Sequence, residues 1–411
     1  MVAGVPTRTS FLIYLSGLAA WFVALGIQTV LFPWLAAVVL ALPPAVVGVA
    51  QMALTGPAIL FLLYAGAVVD RGDPRSILLR VHLLASLPPL VLAIVIYLGR
   101  LSVPLLLVYG VAMGTIQAFA VPARDSILPR VVRGTLPRAV ALAVSVQFAC
   151  QMVGIAAAFL ADRIGAPVLL VAQACAVIAG ATAVLNLPPP DVSLASNAAV
   201  SGRLAAMLEG LRAARRDTRI WPVLVVMTAI GIFYGGTFVV TIPIAVRDAY
   251  GRTADGIAMT NFAFWAGTIL TSFLMAGIAA RIHRPGAAMV GACLYGVVVL
   301  VLIGTLPAWP LLMLICFLWG LGAGITMTQG RTIVQSLAAT EMRGRMLALF
   351  QFGFLGGTPI GALIMGGITQ VAGVSVAMWV AAAAMAVILS LLMLRSSILT
   401  LRLDHAHRAG A

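Results

Sequence analysis

Uncharged polar side chains occur inside long apolar stretches of this sequence, where their neighbours offer few hydrogen bonds. Amides and a phenol in such places either bind neighbouring segments together or hydrogen-bond a small molecule in a cavity. For any single residue both roles stay open, and the set as a whole favours a cavity. The polar members are Gln28, Gln51, Gln117, Gln147, Gln151, Tyr234, Asn261, Gln329 and Gln351, and Trp21, Phe233, Phe264 and Trp265 supply apolar and stacking walls.

The composition places these stretches in a lipid bilayer. Hydrophobic residues make up 63% of the 411 residues, charged residues 9%, and the mean hydropathy is +1.13. Soluble domains are about 45–50% apolar and about 25% charged. The four cysteines lie far apart in apolar runs, which excludes a disulfide framework or a paired-cysteine metal site. The sequence therefore predicts an all-α polytopic membrane protein.

Twelve apolar stretches are long enough to cross the membrane as helices, each of which needs about 20 residues. Arginine supplies all 25 basic residues, and 21 of them fall on one side of the resulting topology. Because basic residues concentrate on the cytoplasmic side, both termini are predicted to be cytoplasmic. The predicted spans are 11–32, 44–68, 77–98, 103–122, 138–161, 166–187, 221–246, 256–281, 286–306, 308–330, 345–371 and 373–394.

The spans divide into two sets of six. We expect an N-terminal six-helix bundle over 1–187, a cytoplasmic linker over 188–220, a C-terminal six-helix bundle over 221–394 and a cytoplasmic tail over 395–411. Leucines and a methionine recur at helical spacing in RLAAMLEGLRAARR, from Arg203, with arginines on the other side. This pattern predicts an amphipathic helix on the membrane surface, with a solvated linker as the alternative.

The two sets resemble each other after their second span, where AGAVVDRGDPRSILLR from Ala65 matches AGIAARIHRPGAAMVG from Ala276. With Gly66, Asp70, Arg71 and Arg75, the first of these loops resembles the signature loop of the major facilitator superfamily. The family usually has Gly at position 73 and a basic residue at 74, where this chain has Asp73 and Pro74. The resemblance implies two pseudo-symmetric six-helix bundles and transport by alternating access.

A narrower resemblance is carried by PARDSILPRVV from Pro122 and RGRMLALFQFGFLGGTPIGALIMG from Arg343. These segments look like the bacterial drug and siderophore exporters, which include macrolide-efflux and enterobactin-export proteins. The Gly-Pro pair that antiporters carry in helix five is missing around Gly154, and a Gly-rich stretch with Pro359 occurs in helix eleven instead. The resemblance implies efflux from a bacterial inner membrane.

The family resemblance also implies a cytoplasmic gate. Its members are Gly66, Asp70, Arg71, Arg75, Asp125 and Arg343, with Asp70 facing the start of helix eleven and Arg71 pairing with Asp125. The alternative is a charged turn that only sets topology. The same resemblance implies that helices one, four, seven and ten line the transport path. It therefore implies a substrate cavity formed by Gln28, Gln117, Gln147, Gln151, Tyr234, Asn261, Trp265 and Gln351.

The expected energy source is the proton gradient, because the sequence has no nucleotide-binding motif, no metal-ligand pattern and no hydrolytic triad. No carboxylate lies centrally in a span, so Asp125 is either a titrating residue or, as we favour, an ion-pair partner. No arginine is evident at mid-membrane, which favours a neutral or amphipathic substrate over an anion.

The leading hypothesis is a monomeric, proton-coupled exporter without cofactor that binds lipid and a small molecule but no nucleic acid. The alternatives are an importer or flippase of a lysophospholipid or other metabolite, and a transport-inactive sensor or scaffold.

Overall fold

A computed structural model of the chain describes residues 8–132, 135–187, 200–278, 282–339 and 342–401. Within these ranges helix is the only regular secondary structure. The triple proline after Leu187 and most of the predicted tail lie outside the described residues. The α-helices are α1 (Arg8–Trp34), α2 (Pro44–Arg71), α3 (Pro74–Tyr97), α4 (Val103–Val131), α5 (Leu136–Ala158), α6 (Ala161–Ile164), α7 (Ala166–Leu185), α8 (Val200–Arg216), α9 (Ile220–Ala229), α10 (Ile242–Asp248), α11 (Ala254–Ile278), α12 (Pro285–Gly304), α13 (Trp309–Leu337) and α14 (Arg343–Arg395).

The helices of the described ranges confirm the predicted all-α polytopic fold. Eleven helical segments are long and apolar enough to cross a membrane. The last of them, α14, has 53 residues and is interrupted at Gly373, whose φ of 82° and ψ of 171° are not helical. Glycine adopts this backbone conformation without a Cβ clash. Because about 20 residues suffice for one span, the parts of α14 on either side of Gly373 are each long enough to cross, which accounts for the two spans predicted there.

Two helices extend well beyond their predicted cytoplasmic ends. The sequence places the ends of spans four and ten at residues 122 and 330, whereas α4 continues to Val131 and α13 to Leu337. At 1.5 Å per residue a 29-residue helix is about 44 Å long, longer than the hydrocarbon core of about 30 Å. Hydropathy detects only the part inside lipid, and Arg124, Asp125 and Arg331, which follow the predicted spans in the sequence, lie in helices.

Span seven is not the plain helix that its apolar run predicts. Between α9 and α10 the chain forms two π-helical segments, Ile230–Gly235 and Thr237–Thr241. A further π-helical segment, Leu35–Val39, follows α1. The wider π turn shifts the register of side chains along the helix and often occurs at functional sites. Here it directs Thr237 and Thr241 into the protein interior, where both are fully buried.

The chain forms two compact units. The first contains residues 1–42, 53–204 and 252–258, and the second contains residues 43–52, 205–251 and 259–411. The unit boundaries therefore fall inside α2 and α11 and not only at the predicted linker. Within the second unit the start of α2 packs on α14, because a Cβ on Gly48 would lie 2.4 Å from the Ala362 carbonyl oxygen.

In both units, close contacts at glycines bring the corresponding pair of helices together. In the first unit α1 meets α5 where a Cβ on Gly154 would lie 2.1 Å from the Val23 carbonyl oxygen. In the second unit a Cβ on Gly231, in the π-helical part of span seven, would lie 2.3 Å from the Phe354 carbonyl oxygen of α14. Spans one and five, and spans seven and eleven, thus approach backbone to backbone. This internal repeat agrees with the predicted duplication.

Helix α8 lies in the predicted linker region, and part of it packs on protein. Gly210 and Ala214 are buried, and the Gly210 backbone lies against Arg345 and Leu349 at the start of α14. Arg345 donates to Glu209 at 2.8 Å. Leu208 stays exposed, as a residue in contact with a membrane surface would be.

Candidate functional site

Gln28 lies in a buried hydrogen-bond network that joins three helices. The Gln173 amide nitrogen on α7 donates to the Gln28 Oε1 atom on α1 at 3.0 Å and to the Tyr109 hydroxyl on α4 at 3.1 Å. The Tyr109 hydroxyl in turn lies 3.3 Å from Gln28 Oε1. Gln28 therefore holds the helices together. Sequence reasoning missed Gln173, although an amide in an apolar run was the signal that selected the other glutamines.

Three other cavity candidates in the first unit have no such partners. Gln117 on α4 and Gln147 on α5 are half-buried, and Gln151 on α5 is 7% exposed. Among the residues that the structure describes, none accepts or donates a hydrogen bond through these three side-chain amides. Gln147 and Gln151 are four residues apart and so share a face of α5. These amides remain free to bind a ligand.

The candidates in the second unit surround an aromatic cluster. Tyr234 donates its hydroxyl to the Cys293 carbonyl oxygen at 2.7 Å and stacks edge-on against Trp319 at 6.0 Å between ring centres. Phe264 bridges Trp319 at 5.4 Å and the half-buried Trp265 at 5.7 Å. The Tyr234 hydroxyl is thus engaged within the protein, and the aromatic rings supply the apolar wall that the sequence predicts.

The remaining amides differ in burial. Asn261 and Gln51 are buried and each has an interaction partner, whereas Gln351 on α14 is exposed. Gln329 is 1% exposed, and its amide nitrogen lies 3.8 Å from the Met275 sulfur. The structure therefore separates the predicted polar set into residues that hold helices together and residues that remain available.

The predicted cytoplasmic gate begins with a helix cap. Asp73 accepts hydrogen bonds from the backbone N–H groups of Arg75 and Ser76 at 2.9 and 3.1 Å, and Pro74 occupies the first helical position of α3. Both features favour a helix start. Asp73 and Pro74, which depart from the family pattern, are explained by this cap.

Arg75 joins α3 to α7. Its guanidinium donates to the carbonyl oxygens of Val184, at 3.2 Å, and Leu185 at the end of α7. The last carbonyls of a helix have no partner within the helix, and a cation there also complements the helix dipole. Arg75 therefore has a structural role within the first unit, in addition to any role in gating.

The other gate candidates occupy different surroundings. Gly66 is buried in α2, Arg71 and Arg343 are exposed, and Asp125 on α4 is exposed and has an interaction partner. The side chain of Asp70 lies outside the described part of the chain. Within that part Arg71 makes no ion pair with Asp125, so the gate stays a prediction.

A narrow pocket in the first unit contains charged and aromatic groups. Tyr14, Trp21, His82 and Arg124 line it, on α1, α3 and α4. His82 is buried at 3% exposure, and its Nδ1 atom lies 2.9 Å from the Leu78 carbonyl oxygen. The hydrophobic signal of α3 gave no indication that this turn faces the bundle interior.

These spans and their internal repeat are those of the major facilitator fold, which this multi-pass chain shares with solved transporters. The chain belongs to the family described as transmembrane secretion effectors, whose sequence model matches residues 8–407. No curated protein matches the chain significantly.

Solved structures share the fold at low sequence identity. The nucleoside transporter NupG, as the D323A mutant, has a TM-score of 0.75 at 12% identity and covers 94% of this chain and 99% of its own. The human organic anion transporter MFSD10 (TETRAN) has a TM-score of 0.67 at 17% identity, with 94% and 99% covered. A bacterial homologue of the human lysosomal transporter Spinster has a TM-score of 0.67 at 14% identity, with 95% and 96% covered. At these identities the likeness concerns the fold alone.

Proposed function

We propose that this transporter exports small amphipathic or neutral molecules across a bacterial inner membrane and is driven by the proton gradient. The observation that carries the proposal is the set of free amides: Gln117, Gln147 and Gln151 have no hydrogen-bond partner among the described residues. A polar group held in an apolar bundle without a partner costs free energy, and a bound ligand offsets that cost.

The chemistry of these residues suits an amphipathic ligand. Amides donate and accept hydrogen bonds without carrying charge, so they recognise hydroxyl, carbonyl and amide groups. Aromatic rings such as Phe264 and Trp265 provide apolar contact area at low entropic cost. The proposed substrate cavity contains Gln117, Gln147, Gln151, Asn261, Trp265 and Gln351, while Gln28 and Tyr234 support it.

Export is favoured by the family description, which names secretion. The similar structures named above transport a nucleoside and organic anions, which agrees with a small organic substrate here. The rival hypothesis has the opposite transport direction, with import of a lipid-like metabolite by the same fold. The proposed topology has both termini in the cytoplasm, as the arginine distribution predicts.

Proton coupling in the proposal acts through the cytoplasmic gate. We place Gly66, Asp70, Arg71, Arg75, Asp125 and Arg343 there, with ion pairs that form in one state and break in the other. Such a two-state element lets a proton or a substrate bias the equilibrium. Arg71 and Arg343 are exposed and so remain available for these ion pairs.

Inverted membrane vesicles from cells that express the protein test direction and coupling together. We expect radiolabelled amphipathic compounds, including a macrolide and a catecholate siderophore, to accumulate when the vesicle interior is made acidic. A protonophore abolishes this accumulation. The double variant Gln147→Leu/Gln151→Leu lowers accumulation at least tenfold, and the control Arg130→Gln, at an exposed position, does not.

Two outcomes would contradict the proposal. Accumulation only in right-side-out vesicles would establish import. Equal accumulation by vesicles with and without the protein, for every compound, would favour the sensor or scaffold.

A further inference from the structure

The side chain of Arg124 lies inside an apolar helix bundle without a hydrogen-bonding anion. It projects from α4 about two turns before the end of that helix, and its guanidinium carbon lies 4.9 Å above the centre of the Phe22 ring of α1. Among the described residues no hydrogen bond or ion pair reaches this guanidinium. Asp125, the next residue, is exposed and contributes only an electrostatic interaction.

Such an arginine requires an explanation, because moving a charge from water into an apolar bundle is costly. A stacked ring offsets part of that cost by a cation–π interaction. Among the described residues the five guanidinium N–H groups still lack acceptors, and an anion bound there would supply them. Arg124 is half-buried, so a ligand can reach it.

A second donor lies beside Arg124. Trp21 on α1 is 5% exposed, and its indole Nε1–H has no hydrogen-bond partner among the residues that the structure describes. A buried indole usually donates to an acceptor. The His82 ring holds Trp21 in place by an edge-on contact with 5.0 Å between ring centres. The Trp21 and Arg124 side chains line the same pocket.

The shape of this pocket limits what can enter. Its enclosed space is about 10 Å³, enough for at most one group the size of a water molecule. An oxygen atom of a sulfonate, carboxylate or phosphate has this size. The other walls are mainly apolar, with Leu18, Leu78 and Ala120 among them. An anionic oxygen is the part of an amphipathic molecule that this space can hold, and the apolar remainder would lie outside it.

We infer that Arg124 and Trp21 bind the anionic group of an amphipathic molecule in the first unit. The expectation of a substrate without negative charge is thereby revised. The inference deepens the proposed function and rests on it in one respect, which is that the molecule bound here is the transported substrate. Its test measures binding, which needs neither a gradient nor transport.

The decisive comparison uses two probes of nearly equal shape and different charge. Naphthalene-1-sulfonate is an anion at neutral pH, and naphthalene-1-sulfonamide is its neutral counterpart. Calorimetric titration of the purified protein in phosphatidylcholine nanodiscs should give at least tenfold tighter binding of the sulfonate. Arg124→Gln should lower sulfonate affinity about tenfold, to the level of the sulfonamide, because charge-assisted hydrogen bonds are lost.

Further variants separate the roles of charge, geometry and folding. Arg124→Lys keeps the charge but loses the planar fork, so we expect an intermediate affinity. Trp21→Phe should weaken sulfonate binding several-fold and leave sulfonamide binding unchanged. Arg130→Gln, at an exposed position on the same helix, is the matched control with parent affinity. If Arg124→Gln fails to fold, which its thermal unfolding would reveal, the sulfonate affinity of Arg124→Lys relative to the parent protein tests the inference instead.

Nanodiscs with phosphatidylglycerol identify the source of the anion. Weaker sulfonate binding in these discs, by competition, assigns the site to a lipid headgroup, and unchanged binding assigns it to a soluble amphiphile. Equal affinity of the parent for both probes, or parent-like sulfonate binding by Arg124→Gln, would overturn the inference. Sulfonate binding without any gradient-driven transport would instead leave the site standing and remove the proposed function.

Discussion

Gln28 and Gln147 carry the same side chain in similar apolar runs, and their surroundings give them different roles. Gln28 accepts a hydrogen bond from Gln173 at 3.0 Å, within a network that includes Tyr109. Gln147 is half-buried without a hydrogen bond among the described residues. One amide therefore stabilises the bundle, and the other remains available for a ligand.

The first prediction at this scale concerns that contrast. Gln28→Leu should lower the free energy of unfolding by about 1 kcal/mol, because it removes the acceptor shared by Gln173 and Tyr109. Gln147→Leu should leave stability within about 0.5 kcal/mol and reduce transport instead. Unfolding in mixed detergent micelles measures the first effect. A stable Gln28→Leu variant that loses transport would reverse the assignment.

The second prediction concerns the cap at Asp73. Asp73→Ala should destabilise the protein by about 1 kcal/mol, since the first N–H groups of α3 lose their acceptor, whereas Asp73→Gly should cost only a few tenths. Thermal unfolding of both variants, with Asp73→Asn as the conservative control, checks this order. An alanine variant as stable as the parent would show that the cap is not needed.

At the scale of elements, close glycine contacts determine how the spans pair. Gly154 on α5 and Gly26 on α1 bring two backbones together, and Gly231 and Gly357 do the same for span seven and α14. A neighbouring backbone cannot move aside as the end of a flexible side chain can. The spacing of small residues in the sequence indicates such contacts, but it does not identify the partner helix.

The third prediction tests this packing. Gly154→Ala should destabilise the protein by about 1–3 kcal/mol or more, because its Cβ would lie 2.1 Å from the Val23 carbonyl oxygen. Gly291→Ala on α12 is the matched control, since a Cβ there meets nothing within 4 Å. It should stabilise its helix by up to about 1 kcal/mol. Equal effects of the two substitutions in thermal unfolding would refute the packing argument.

At the scale of the whole molecule, the sequence predicted the twelve spans because apolar length alone determines which segments cross lipid. It did not predict the π-helical parts of span seven or the continuation of α4 to Val131 and of α13 to Leu337, since hydropathy carries no information on helix register or on helix outside lipid. For the same reason, hydropathy could not distinguish glutamines that are hydrogen-bonded to the protein, such as Gln28, from those without such a bond among the described residues, such as Gln147. Their roles depend on tertiary neighbours such as Gln173 and Tyr109.

The most direct test of gradient-driven transport is proton movement caused by substrate in proteoliposomes of the purified protein. A pH-sensitive dye such as pyranine, trapped inside, reports the internal pH after a transported amphipathic compound is added outside. We predict a pH change that requires the protein and falls at least tenfold in Gln147→Leu/Gln151→Leu. Substrate flux through the parent protein with an internal pH no different from that of protein-free liposomes would contradict proton-coupled transport.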